Sequence, residues 1–193
     1  MPITLQTLKE LLTAPHEVLL RIAKAKNMNE AIVMLVLNWI LVAAAFAFSS
    51  QKYSIIPAIL VSGILGTLVA AFFLLIALTL IGGKGDYTSV LIAFTYPFFG
   101  VALSSLIVSA IFLWSEVVAV ILGALLFTLY FTIAFSGAFR VLKENFKLDV
   151  VTIWIVTSLL LLAFATSVYL IAAVYVFKAG TFPSPLKSIA YPY

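Results

Sequence analysis

Gly82–Pro97 reads GGKGDYTSVLIAFTYP, and its reading decides how the chain is laid out. It joins two long runs that carry no charged residue, Tyr53–Gly83 with 31 residues and Tyr87–Ser115 with 29. A helix needs about 20 apolar residues to cross a bilayer, so each run is long enough. The stretch between them then reads as a short loop joining two membrane helices. Gly82, Gly83 and Gly85 supply the backbone freedom of a turn. Asp86 is placed to cap the following helix, where its charge suits the positive end of the helix dipole. Pro97, after Tyr96, falls about one third of the way into that helix. It has no N–H to return to the preceding turn, which predicts a bend.

The rest of the chain follows the same pattern. Of 193 residues, 65% are hydrophobic and 9% are charged, against roughly 25% charged in a soluble domain. This is the composition of an integral membrane protein. Three further uncharged runs are Ala31–Gln51, Val117–Phe139 and Val150–Phe177. The expected fold is therefore all-α, with five transmembrane helices behind an N-terminal amphipathic interfacial segment. In domain terms, residues 1–30 form a cytoplasmic amphipathic segment and 31–178 the five-helix membrane domain. Residues 179–193 form a short extracytoplasmic tail with Pro183, Pro185 and Pro192.

In the N-terminal segment, Leu5, Leu8, Leu12, Leu19 and Ile22 recur at near-helical spacing. Pro15 divides it into two short helices or starts the second. Lys9, Arg21, Lys24 and Lys26 are the candidate contacts for lipid headgroups or a protein partner, because basic amphipathic helices are drawn to anionic surfaces. In the second run, Ala58, Ser62, Gly66 and Ala70 fall four apart and form a smooth face on which another helix can pack closely. That helix belongs either to the same chain or to a second copy. Asn38, inside the first run, needs a hydrogen-bond partner and so faces another helix or a backbone carbonyl.

Orientation follows from the basic residues. With five spans, Lys9, Arg21, Lys24, Lys26, Lys84, Arg140, Lys143 and Lys147 share one side, against Lys52, Lys178 and Lys187 on the other. The positive-inside rule then puts the N-terminus in the cytoplasm of a multi-pass cell-membrane protein and the C-terminus outside.

The chemistry missing from the sequence narrows the function. No ionisable residue lies deep in a span, where proton-coupled carriers keep one. There is no cysteine, and His16 is the one histidine. GGKGD lacks the spacing of a phosphate-binding loop. No catalytic residue, metal site or cofactor is implied, and no basic patch is large enough to suggest nucleic acid.

Three features resemble the Yip1 domain family of five-span membrane proteins, in its compact prokaryotic form. They are LLTAPHEVLLRI at Leu11–Ile22, GGKGDYTSVLIAFTYP at Gly82–Pro97, and the five-span layout. The resemblance implies a cytoplasmic N-terminal region; eukaryotic relatives are associated with small-GTPase binding and membrane traffic. The expected function is a non-enzymatic membrane scaffold or membrane-organising protein. Its partners are the lipid bilayer and a protein, which is either a second copy or a different chain. The alternative is a small transporter or channel for a neutral or weakly polar solute, with a cavity near the Pro97 kink.

Overall fold

Asn27, Asp86, Ser115 and Asp149 each end a loop and start a helix. Asn27 accepts from Glu30 N–H and donates to the Glu30 carboxylate, a reciprocal cap. Asp86 accepts from the N–H and the hydroxyl of Ser89, at 2.8 and 2.7 Å. Ser115 accepts from Val118 N–H, and Asp149 from Thr152 N–H. These caps mark the starts of α3 (Met28–Ser50), α5 (Tyr87–Thr95), α7 (Glu116–Phe146) and α8 (Val150–Lys178). The remaining helices are α1 (Leu5–Thr13), α2 (Pro15–Ala25), α4 (Ile56–Leu80) and α6 (Phe99–Phe112), with a 3-10 turn at Tyr53–Ile55. The computed structural model describes residues 4–13, 15–51 and 53–178, excepting the side chains of residues 5, 16, 164 and 167–178. The proline-bearing tail, residues 179–193, lies outside them.

Four helical stretches among the described residues are long and apolar enough to cross a membrane: Met28–Ser50, Tyr53–Leu80, Tyr87–Phe112 and Glu116–Phe146. The third is α5 and α6 together, interrupted at Tyr96–Phe98. The expectation of five spans is therefore corrected to four among the described residues. The run from Val150 has helical backbone to Lys178, but its described apolar helix is Val150–Ala163.

The chain divides into two compact units, Met1–Trp154 and Ile155–Tyr193. In the second, the described residues all belong to α8. In the first, the bent third span forms the centre. Its α5 half packs against α3, α4, α7 and α2, and its α6 half against α3 and α7. Val90, Leu91 and Ile92 are fully enclosed. The second and fourth spans instead turn long apolar faces outward, including Val61, Leu65, Val69, Val120, Ile121 and Leu125. Such a surface suits lipid, which matches a leucine side chain in polarity. Trp114, next to the start of α7, and Trp154, in the first turns of α8, are both exposed near helix ends, as interfacial tryptophans are.

One end of this unit gathers the charges. Lys26, which follows α2, pairs with Asp86 at the start of α5 at 2.6 Å. Lys84 N–H donates to Phe146 O at the end of α7. The end of α2, the Gly82–Asp86 loop and the end of α7 therefore meet at the same end of the bundle.

Candidate functional site

At the bend in the third span, Tyr96–Phe98, the chain departs from regular helical hydrogen bonding. Tyr96 N–H still donates to Ile92 O at 3.2 Å, but Pro97 has no N–H to offer Ala93 O. Phe99 N–H donates back to Tyr96 O, and regular α-helical bonding resumes with Ala102 N–H to Phe98 O. An unpaired carbonyl at this depth is costly. Asn38 of α3 meets part of the demand: its Nδ2 donates to Thr95 O at 2.7 Å. This is the backbone contact its place in an apolar run requires. Its Oδ1 is buried without a hydrogen-bond partner. Ser104 and Ser105 do not reach the bend. Their hydroxyls donate to Gly100 O and Val101 O within their own helix.

The bend is filled by side chains. Tyr96 is 2% exposed, and Pro97 is buried. Gly137 of α7 leaves a notch beside it. A Cβ built on Gly137 would lie 3.5 Å from Pro97 Cβ and 2.6 Å from Leu19 Cδ1. Leu19 of α2 thus occupies the space that a side chain at Gly137 would take. On the far side, the Tyr130 ring lies directly on Gly100. Among the described residues, surface grooves lie between α6 and α7 and along α7. Neither is lined by Tyr96, Pro97 or Ser104.

The loop before the bend is built with similar economy. Gly82 has φ 95°, a conformation that favours glycine, and it completes the end of α4 by donating to Thr79 O. Gly83 and Gly85 serve a different end: the Phe146 ring lies against both, leaving no room for a Cβ. Asp86 is pushed up by partial burial, but the bonds from Lys26 and Ser89 outweigh this and hold its carboxyl below the usual range. It therefore stays charged near neutral pH, as its roles as cap and ion-pair partner require.

The other residues singled out from sequence divide into engaged and open. Arg21 pairs with Glu10, and Lys26 with Asp86. Lys9 and Lys24 are exposed. The apolar face of α2 meets protein: Val18, Leu19, Ile22 and Ala23 are buried, and the helix packs on α7 and α5. On α4, Ala58 and Ser62 are exposed, Ala70 is half-buried, and nothing lies within 4 Å of a Cβ built on Gly66. The face that packs inside the chain is its neighbour, with Gly63, Ala71, Leu74 and Leu78 buried. There Trp39 of α3 lies over Gly63 and donates from Nε1 to Thr67 Oγ1 at 3.0 Å.

Sequence reasoning passed over Leu19 with Gly137, and Phe146 with Gly83 and Gly85. The available signal was a glycine inside an otherwise bulky helix. Among the described residues, no group of three or more His, Asp or Glu side chains gathers as a metal site would. No family model matches the chain, and neither the curated proteins nor the solved structures yield a match. The likeness to the Yip1 domain family is corrected accordingly. Its third support, five spans, is replaced by four. The chain is a multi-span, all-α membrane protein whose central span bends at Pro97 among buried side chains.

Proposed function

We propose that this protein is a non-enzymatic membrane scaffold, a rigid bundle whose surfaces rather than its interior do the work. The observation that carries this reading is the filled bend: Leu19, Gly137, Pro97 and Tyr130 close the region where a solute path would have to run. The basic end, with Lys24, Lys84, Arg140, Lys143 and Lys147 exposed, faces the cytoplasm under the positive-inside rule. The extracytoplasmic placement of the C-terminus required a fifth crossing and is not carried forward. The open α4 stripe of Ala58, Ser62, Gly66 and Ala70 is the surface offered to a further membrane helix, from a second copy or another protein.

The test is made in liposomes containing the purified chain. The panel is a set of neutral solutes, with thiol labelling of Tyr96→Cys and Ser104→Cys variants from either face. The expected result is no saturable flux above protein-free liposomes and no labelling at either position. Saturable flux that falls when Ser104 is replaced would overturn the scaffold reading in favour of a transporter.

A further inference from the structure

Along α7, Phe127, Phe131, Phe135 and Phe139 recur every fourth residue, and the next step in the series is Lys143. Neighbouring rings touch in turn, with centroids 5.8, 4.7 and 5.8 Å apart. Phe98, beside the bend, braces the middle of the ladder from the third span, 6.4 Å from Phe131 and 6.2 Å from Phe135. Phe127 and Phe131 are nonetheless 47% and 41% exposed. At its upper end, the ladder opens into a groove of ≈ 400 Å³ between α6 and α7. Gly123 lets the two helices approach closely there, and Ser105 and Phe127 help to line the groove. The Ser105 hydroxyl is turned back to Val101 O, so it is already satisfied within its own helix.

Length and charge identify what such a surface accepts. From Phe127 to Phe139 the helix rises about 18 Å, close to one leaflet of a bilayer whose hydrocarbon core is about 30 Å thick. Arg140 and Lys143 stand where the ladder meets the basic end. Both are exposed, and neither makes an ion pair among the described residues. Glu144 is also exposed there, and Lys147 follows it, so this short stretch still carries a net positive charge. An aromatic track one leaflet long that ends in two free cations is complementary to one kind of bilayer component. We propose that α7 carries a binding site for one anionic glycerophospholipid. Its headgroup phosphate meets Arg140 and Lys143, and one acyl chain lies along Phe139, Phe135, Phe131 and Phe127. The site draws on α7 side chains and does not require the α1–α2 basic residues. It requires only that α7 cross the membrane, so it stands or falls apart from the scaffold reading.

Native mass spectrometry of the full chain, released from detergent with dioleoyl phosphatidylglycerol or dioleoyl phosphatidylcholine, tests the site. The expected result is one retained lipid per chain, with phosphatidylglycerol strongly preferred. Arg140→Gln and Lys143→Gln should each lower that preference about fivefold, the effect of about one basic residue at an anionic surface. Phe131→Ala should weaken retention of both lipids and leave the preference unchanged. Lys9→Gln and Lys24→Gln should change neither. Equal retention of the two lipids would overturn the proposal. So would a preference that survives Arg140→Gln with Lys143→Gln, or one that depends on Lys9 and Lys24. The charge variants lie on the exposed surface, so the test does not depend on whether Phe131→Ala folds.

Discussion

Phe146→Ala should lower the stability of the folded chain by about 3–5 kcal/mol, the usual range for deleting a fully buried phenylalanine. The Phe146 ring has no exposed surface. It lies against Gly83 and Gly85, and the Phe146 carbonyl accepts from Lys84 N–H at 3.2 Å. Removing the ring takes away the surface on which the loop before α5 rests, and two glycines cannot fill the space. The loop carries Asp86, which caps α5 and holds Lys26, so the damage should spread to the end of α2. An SDS titration in mixed micelles, followed by far-UV circular dichroism, reads the loss. Phe146→Leu should recover a large part of it. A transition unmoved by Phe146→Ala would show that the loop is not seated on α7.

Gly63→Leu should destabilise the chain by about 1–3 kcal/mol or more through overpacking, whereas Gly66→Leu should stay within about 0.5 kcal/mol in the monomer. The two glycines are three residues apart on α4, yet they face different surroundings. At Gly63 a Cβ would lie only 2.2 Å from atoms of the Trp39 ring. The ring cannot retreat without giving up its bond to Thr67 Oγ1. At Gly66 a Cβ meets nothing within 4 Å. The same SDS titration separates the pair, and size-exclusion chromatography adds a second readout. If Gly66→Leu leaves the monomer stable but removes a dimer, the α4 stripe meets a second copy. Equal losses from both substitutions would contradict the packing of α3 on α4.

The features legible in the sequence were those fixed by local backbone chemistry. Asp86 caps because a short acceptor before an apolar run satisfies free N–H groups. Pro97 interrupts the third span because its ring removes a donor. The length of the uncharged runs pointed to membrane spans. The last of them, Val150–Phe177, is not among the four spans found in the described residues. Faces were harder to read. An apolar stripe on α2 is the same pattern whether it meets lipid or the α7 surface around Gly137. On α4, small residues occur on both sides of the helix, and spacing alone favoured Ala58, Ser62, Gly66 and Ala70 over the face containing Gly63. The glycines of the loop looked alike, yet only Gly82 takes a positive φ. Gly83 and Gly85 are small because of a ring more than sixty positions away in sequence. The four-residue phenylalanine repeat of α7 went unread, and its brace from Phe98 depends on how the third span meets α7.

The sealed bend is tested most directly by joining its two sides. The chain has no cysteine, so Leu19→Cys with Gly137→Cys introduces a single pair. Leu19 Cδ1 lies 2.6 Å from a Cβ built on Gly137, and replacing leucine removes that atom and leaves room for the second thiol. The resulting Cβ atoms should approach the roughly 3.5–4.5 Å that a disulfide requires. Mild oxidation in native membranes should link the pair within one chain, while Leu19→Cys with Gly66→Cys should stay reduced. If Leu19→Cys and Gly137→Cys do not link, and both react freely with a water-soluble thiol reagent, then α2 does not close the bend.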